Sequence, residues 1–154
     1  MSSSAPDETV ALCYLKESQA RKSSMSTGSM IVGTGIDIVE VPRVAAAIER
    51  FGQRFIERIF TPAEIHYCES KANRVERFAA RFAAKEAAMK AIGTGWRHGV
   101  RWRDFEVRRQ PGGRPTLAFS GKAAEFAAKL GVARAALSLS HTAAEAIAQV
   151  ILED

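Results

Sequence analysis

A long helical segment, from about Arg74 to Ile92, places the strongest constraint on the fold of this 154-residue chain. It is rich in alanine, contains neither glycine nor proline, and is followed by Gly93, a residue type common just after helix ends. Phe78 and Phe82 stand four residues apart, so they lie on one face of the helix. The rest of the domain must therefore supply an apolar surface that covers this face.

The segments around this helix predict an α+β fold. A β-branched apolar run at Ile31–Val39 predicts a buried strand near the start of the domain. Capping residues, glycines and alternating apolar patterns predict the remaining elements, with Ser120 as the cap of the last helix. These are helices over residues 43–51, 53–59, 61–70 and 120–130, and strands over residues 105–109, 116–119, 135–140 and 146–152. They mix without a repeating strand–helix–strand order, which is typical of the α+β class.

Residues 1–29 differ from the rest because they contain eight serines and few large apolar side chains. We expect a flexible extension there, followed by a single domain over residues 30–154. Cys13 and Cys68 are too few for a disulfide framework, and no apolar run is long enough to span a membrane. These features favour a cytoplasmic protein, and we expect no membrane partner.

The net charge of +5 predicts an acidic partner. The excess lies wholly in residues 30–154, because the first 29 residues hold three basic and three acidic side chains. Nucleic acids, phosphorylated ligands, anionic membrane surfaces and acidic proteins are all compatible with this charge. The charge alone does not choose among them.

Asp37 is unusual because it interrupts the apolar strand between Ile36 and Ile38. Side chains alternate along a strand, so Gly33 and Gly35 share its face and predict open space or a close approach beside the carboxylate. A buried carboxylate requires a cation, a set of hydrogen bonds or a metal. The structural alternative is an aspartate that caps a turn or pairs with an arginine.

Glu86 and Lys90 continue the ridge of Phe78 and Phe82, so Glu86 lies near the buried face of the long helix. The structural alternative is a simple Glu86–Lys90 salt bridge within the helix. If Asp37 meets Glu86, the two carboxylates fit Mg²⁺, which takes one or two carboxylates and completes its shell with waters and substrate phosphates. Lys90 would then neutralise a phosphate oxygen.

Four segments, in order and spacing, resemble a known family. They are Gly33–Glu40 (GTGIDIVE), Arg77–Gly95 (RFAARFAAKEAAMKAIGTG), Gly113–Pro115 (GRP) and Ser138–Thr142 (SLSHT). The chain over residues 30–154 resembles the holo-(acyl-carrier-protein) synthases, the small trimeric group of the phosphopantetheinyl transferase superfamily. The resemblance implies a homotrimer whose subunits pack an antiparallel sheet with one long helix and several short ones. It also implies active sites between neighbouring subunits.

The resemblance implies transfer of 4′-phosphopantetheine from coenzyme A to a serine of apo-acyl carrier protein, with release of adenosine 3′,5′-bisphosphate. Asp37 and Glu86 resemble the Mg²⁺ ligands, and Glu86 also resembles a residue that helps to deprotonate the serine. Lys90 resembles the residue that steadies the pyrophosphate. The positions matching segments around the nucleotide are Arg81, Gly93 to Gly95, Arg114, Pro115, His141 and Thr142. For His141 the alternative is a turn histidine at a strand end.

The acidic carrier protein would account for the basic charge. Arg43 matches an arginine with which the family docks the carrier, and Arg50, Arg54 and Arg58 extend this patch if the helix continues through Gly52. The alternative is a solvated basic face. Two other functions were weighed. A non-catalytic subunit that binds coenzyme A or the carrier would be expected to lack Asp37, Glu86 or Lys90. A small nucleic-acid-binding module would need motifs and interleaved aromatic residues that this chain lacks, so we expect no nucleic acid partner.

Overall fold

The structure is a computed structural model that describes residues 28–95 and 97–154. The predicted N-terminal extension, apart from Gly28 and Ser29, lies outside the described residues. The elements are, in chain order, β1 (Ile31–Glu40), α1 (Val41–Phe51), α2 (Gln53–Ile59), α3 (Pro62–Glu69), α4 (Arg74–Ala91), β2 (Phe105–Arg109), β3 (Pro115–Phe119), α5 (Gly121–Lys129), β4 (Arg134–His141) and β5 (Glu145–Glu153). A short 3-10 turn, Trp102–Asp104, precedes β2.

Two antiparallel sheets confirm the predicted α+β class. The larger sheet has the strand order β1-β5-β4, so the first and last strands of the domain lie side by side. Asp37 is paired with Ala148, and Ser138 is paired with Gln149. The strands β2 and β3 form the hairpin predicted from the Gln110–Pro115 turn.

Helix α4 packs directly on β1 because Gly33 and Gly35 have no side chain. A Cβ atom added to Gly35 would lie 1.9 Å from the carbonyl oxygen of Ala87, and one added to Gly33 would lie 2.3 Å from that of Ala91. The predicted open space is therefore wrong, because helix backbone fills it. Of the two roles that the sequence allowed for these glycines, the structure shows close approach of another backbone.

The buried face of α4 joins two hydrophobic clusters. One lies between α4 and the larger sheet and includes Met89, Val150 and Leu152. The other lies between α4 and the helices α1 to α3 and includes Phe60 and Phe78. The predicted apolar face of α4 is confirmed, since Phe78 is fully buried.

The buried strand predicted at Ile31–Val39 is buried on one face only. Ile36 and Ile38 on β1 and Ile147 on β5 keep 56%, 60% and 38% of their surface exposed. The physical reason is that α4 covers one side of the sheet, and no other described element covers the opposite side. This outer face is a patch of exposed apolar side chains.

Two capping predictions have different outcomes. Thr61 and Glu64 form the predicted capping box at the start of α3, through Glu64 N to Thr61 Oγ1 (3.3 Å) and Thr61 N to Glu64 Oε2 (2.9 Å). Ser120 precedes α5 as predicted, but its hydroxyl donates to the carbonyl of Asp104 (3.3 Å) instead of capping the helix. Among the described helices, none has the length and apolar character required to cross a membrane.

Candidate functional site

Asp37 and Lys90 meet at the seam between β1 and α4. The Lys90 ammonium lies 2.8 Å from Asp37 Oδ1 and donates to the carbonyl of Ile36 at 2.9 Å. The Asp37 side chain is 15% exposed and the Lys90 side chain is 53% exposed, so solvent reaches the pair from the lysine side. The cation that the Asp37 carboxylate was expected to need is thus a lysine from the long helix.

Glu86 lies one turn before Lys90 on the same ridge of α4 and is half-buried. Its Oε1 accepts a hydrogen bond from the indole N–H of Trp102. The alternative of a Glu86–Lys90 salt bridge is wrong in this structure, because Lys90 reaches across to β1. Asp37 and Lys90 therefore meet at one seam, although they come from a strand and a helix and are 53 residues apart in sequence. Glu86 lies one turn before Lys90 on that helix.

A small cleft of about 170 Å³ lies beside the hairpin, and we call it the Tyr67 cleft. Its lining includes the predicted residues Arg81, Pro115 and His141, together with Tyr67, Arg77 and Arg109. Gly93, Gly95, Arg114 and Thr142 are not part of this lining.

Arg81 is the most unusual residue of the Tyr67 cleft. It is only 4% exposed, its guanidinium carbon lies 4.1 Å from the centre of the Tyr67 ring, and one nitrogen donates to the carbonyl of Arg77 at 3.5 Å. Its Nε is the single buried side-chain polar atom without a hydrogen-bond partner among the described residues. A buried, incompletely satisfied guanidinium is suited to an anionic ligand.

Arg109 holds the opposite side of the Tyr67 cleft. It donates to the hydroxyl of Tyr67 at 2.6 Å and twice to the carbonyl of Gly113, at 3.2 and 3.1 Å. These bonds fasten the hairpin turn, which contains Arg114 and Pro115, to α3. The sequence interpretation missed Tyr67 and Arg109; the double arginine at the end of a strand was the available signal.

His141 and Thr142 lie at the end of β4. His141 Nδ1 lies 3.3 Å from a carboxylate oxygen of Glu76 on α4, so the imidazole is oriented by a carboxylate. Thr142 Oγ1 accepts from the backbone N–H groups of Ala144 and Glu145, both at 3.1 Å. Thr142 therefore belongs to the turn between β4 and β5, and His141, the last residue of β4, lines the Tyr67 cleft.

The loop after α4 uses its backbone amides to close the helix. The N–H of Gly93 donates to the carbonyl of Lys90 (3.1 Å), and the N–H of Gly95 to that of Met89 (3.4 Å). Both glycines have positive φ angles, 76° and 54°, which glycine adopts without a steric penalty. Both N–H groups thus donate to carbonyls of the helix end, and Trp96 lies outside the described residues.

The predicted arginine patch is arranged differently from the expectation. Gly52 has φ 57° and ψ −140° and ends α1, as the separate helices over residues 43–51 and 53–59 predicted. The patch therefore does not lie on one continuous helix. The groove between these helices has a volume of about 510 Å³ and is lined by Arg50, Phe51, Arg54, Phe55 and Arg58. We call it the α1–α2 groove.

Arg43 is not part of the α1–α2 groove. It lies near the start of α1, 4.0 Å from Glu40, with 82% of its side chain exposed. An exposed pair at this distance contributes little to stability. Because most of its side chain is exposed, the Arg43 guanidinium is accessible to a partner.

A buried ion pair underlies the seam. Lys85 and Glu64 are both fully buried, with 2.8 Å between Nζ and Oε2. The ammonium also donates to the carbonyls of Trp102 (3.1 Å) and Phe105, and Glu64 Oε1 accepts from the N–H of Val107 (2.9 Å). Burial lowers the pKa of Lys85, and the charge of Glu64 opposes this shift. Three acceptors around the nitrogen match the three donors of an ammonium, so we assign the charged form.

Known proteins resemble this chain in sequence and in fold. The sequence profile of the 4′-phosphopantetheinyl transferase superfamily matches residues 33–148. A holo-(acyl-carrier-protein) synthase of Koribacter versatilis (strain Ellin345) is 73% identical over 125 residues, which are 81% of this chain and 100% of the relative. The crystal structure of the Neisseria meningitidis synthase matches with a TM-score of 0.75 at 35% identity, covering 81% of this chain and 100% of that one.

The Helicobacter pylori synthase, solved in complex with coenzyme A, matches with a TM-score of 0.69 at 32% identity and covers 77% of this chain and 98% of that one. The profile match covers well over half of the chain, and the identities extend over the whole described domain. The chain therefore belongs to the 4′-phosphopantetheinyl transferase superfamily.

Proposed function

We propose that the seam formed by Asp37, Glu86 and Lys90 is the reaction centre. As a member of this family, the chain is an enzyme that transfers 4′-phosphopantetheine from coenzyme A to a serine of apo-acyl carrier protein. The observation on which the proposal rests is the 2.8 Å contact between Lys90 on α4 and Asp37 on β1, one helical turn from Glu86. It joins one carboxylate and a cation at a partly exposed place, and Glu86, one turn away on the helix, would supply the second carboxylate.

The donor set fits Mg²⁺, and Asp37 and Glu86 would hold the ion. Both are carboxylates, the ligand type that Mg²⁺ prefers, and one or two of them suffice when waters and substrate phosphates complete the shell. No group of three or more acidic, histidine or cysteine side chains suited to a metal occurs in residues 28–95 and 97–154, so a more heavily liganded site is not offered there. When bound, Mg²⁺ would neutralise charge on the pyrophosphate oxygens.

Lys90 and Glu86 have separate tasks in the proposed reaction. The serine oxygen attacks the phosphorus that bears the pantetheine arm, and the bond to the adenosine 3′,5′-bisphosphate leaving group breaks. The exposed ammonium of Lys90 would neutralise the charge that develops on that leaving group. Glu86 would accept the serine proton, either directly or through a water.

We assign the nucleotide end of coenzyme A to the Tyr67 cleft. Its lining contains three arginines, and Arg81 offers a buried Nε without a protein partner. Guanidinium groups suit the phosphates of this substrate, since they donate in a planar fork. His141, oriented by Glu76, would contribute a further donor at the rim. Gly93, Gly95, Arg114 and Thr142 are outside this lining, and we propose that they contact the ligand elsewhere along its length.

Carrier docking is proposed for the face that contains Arg43 and the α1–α2 groove. Arg50 and Arg54 line the groove together with aromatic side chains, a combination that can contact both the acidic and the apolar surface of a partner. Arg43 adds an accessible guanidinium on the same helix as Arg50. The basic net charge favours encounter with an acidic carrier protein.

We further propose a homotrimer with active sites between subunits. The exposed outer face of the larger sheet supports this, because Ile36, Ile38 and Ile147 would be covered by a second copy of the chain. Residues 30–154 are proposed as the single domain, because two hydrogen bonds join Met30 to Asp154. The Met30 N–H donates to Asp154 Oδ1 (2.7 Å), and the Asp154 N–H donates to the Met30 carbonyl (3.1 Å). We propose the cytoplasm as the location, where the carrier protein and coenzyme A are used.

Replacement of Glu86 by Gln tests the proposed reaction centre. The amide is similar in size but lacks the charge for a metal and the basicity to accept a proton, so turnover should fall by at least about 100-fold. Carrier binding, measured by calorimetry with apo-acyl carrier protein, should persist. If the Glu86→Gln variant keeps its turnover, Glu86 is not a metal ligand. If the wild-type chain binds both substrates without turnover, it is a non-catalytic binding subunit.

A further inference from the structure

Trp102 makes a contact with the proposed reaction centre that neither the sequence motifs nor the family membership assigns. Its indole N–H donates to Glu86 Oε1, and both side chains are half-buried. An indole N–H is a donor only, so it binds one carboxylate oxygen of Glu86 and holds that oxygen in place. One oxygen of Glu86 is thereby held by the protein, and the orientation of the other oxygen is restricted.

The position of Trp102 is itself fixed from the core. Its backbone carbonyl accepts from the buried ammonium of Lys85 at 3.1 Å, and that ammonium is paired with Glu64 at 2.8 Å. Lys85 directly precedes Glu86 on α4. A single buried lysine therefore fastens the 3-10 turn to the helix at the point where the indole meets the carboxylate.

The ring of Trp102 also faces the proposed docking surface. The guanidinium carbon of Arg58, which lines the α1–α2 groove, lies 6.0 Å from the ring centre. Trp102 thus lies between a residue of that groove and the carboxylate at the seam. An indole in this place can hold Glu86 still while the carrier protein docks nearby.

We propose that Trp102 is a positioning residue for Glu86: its indole N–H orients the carboxylate for Mg²⁺. This inference rests on the proposed function, because it assumes that Glu86 is a metal ligand. Hydrogen bonds to metal-binding side chains orient them, and loss of such a partner commonly weakens metal binding or activity by about 10- to 100-fold. Trp102 does not touch substrate in this account and acts only through Glu86.

The test is Trp102→Phe in the full chain, which keeps an aromatic ring and removes the donor. Mn²⁺ serves as the probe, and its binding is measured by electron paramagnetic resonance with adenosine 3′,5′-bisphosphate present. We expect Mn²⁺ binding to weaken about 10-fold or more. The Mg²⁺ concentration for half-maximal turnover should rise by a similar factor, and saturating Mg²⁺ should restore most of the turnover. Arg103→Ala, an exposed change in the same turn, should leave all three values unchanged.

The outcomes separate this inference from the proposed function. If Glu86→Gln abolishes Mn²⁺ binding but Trp102→Phe leaves it unchanged, the positioning role is refuted and the reaction centre stands. The positioning role is also refuted if Trp102→Phe lowers turnover equally at all Mg²⁺ concentrations, because that pattern indicates general structural damage. If Glu86→Gln leaves both Mn²⁺ binding and turnover intact, the reaction centre itself is wrong.

Discussion

Replacement of Gly35 by Ala should damage both the fold and the reaction centre. The added Cβ would lie 1.9 Å from the carbonyl oxygen of Ala87 and 2.8 Å from the backbone nitrogen of Ala91, whereas ordinary contact begins at 3.4 Å. The obstructing atoms belong to the helix backbone and cannot rotate away like a flexible side chain. Helix α4 and strand β1 must therefore separate locally by about 1.5 Å.

The magnitude follows from this separation. Overpacking of a core typically costs about 1–3 kcal/mol, and a backbone obstruction lies at the upper end, so we expect a loss of about 3 kcal/mol. For a chain of this size that corresponds to a Tm lower by roughly 6–12 °C. Asp37 is two residues further along the same face, so its 2.8 Å contact with Lys90 would lengthen as well. A misplacement of about 1 Å at a reaction centre can reduce turnover by about 100-fold.

The assay is thermal unfolding followed by circular dichroism at matched protein concentration, together with turnover below the unfolding range. The control is Gly28→Ala, the same chemical change at a position with no atom within 4 Å of the added Cβ. This control should leave both Tm and turnover near the wild-type values. If Gly35→Ala changes Tm by less than about 1 °C and leaves turnover intact, the close packing of α4 on β1 is wrong.

Three further predictions concern the core and the outer face. Lys85→Met should lower the free energy of unfolding by about 3–5 kcal/mol, because it leaves the buried Glu64 charge unpaired. Urea unfolding measures this free energy, and a loss below about 1 kcal/mol would contradict the prediction. Burial raises the pKa of the Cys68 thiol from 9.0 to about 11, so the folded chain keeps a proton that the unfolded chain loses between these values. Stability should therefore fall as pH rises from about 9 to 11, more steeply than in Cys68→Ala, and equal slopes for the two proteins would refute this. Ile38→Asp should convert the proposed trimer into monomers in light scattering, and a wild-type chain that is already monomeric at micromolar concentration would refute the trimer.

Local sequence signals predicted most of the fold. Alanine and phenylalanine periodicity identified α4, and a capping box identified the start of α3, because both depend on residues within one or two turns. The β2–β3 hairpin followed from its proline and glycine turn for the same reason. Conformational preferences of this kind are determined mainly by neighbours in the sequence.

The failures arose where long-range packing decided the outcome. Gly33 and Gly35 were compatible with either open space or the close approach of another backbone. The packing of α4 on β1, which the sequence does not reveal, determines that the second is correct. Ile36 and Ile38 looked buried because an apolar run does not indicate how many faces of a sheet are covered. The helix end at Gly52 was predicted, but the way in which Arg50, Arg54 and Arg58 come to line one groove depends on how α1 and α2 pack.

The sequence singled out Asp37, Glu86 and Lys90, and the structure shows that Asp37 contacts Lys90, but the sequence did not reveal the residues that support them. Asp37 stood out because a carboxylate in an apolar strand is costly, and Glu86 because it lies on a phenylalanine ridge. Trp102 follows Glu86 by 16 residues across a loop, so no helix or strand period connects the two side chains. The burial of Lys85 could not be predicted from its neighbours in the sequence, since it depends on a partner 21 residues earlier in the chain.

Transfer of phosphopantetheine by this chain should require a divalent metal. To test this, the protein is incubated with apo-acyl carrier protein, coenzyme A and Mg²⁺, and the mass of the carrier is determined by mass spectrometry. The carrier should gain the mass of one phosphopantetheine, and EDTA should abolish the gain. A carrier of unchanged mass with wild-type protein, across several apo-acyl carrier proteins that the chain binds, would contradict this prediction.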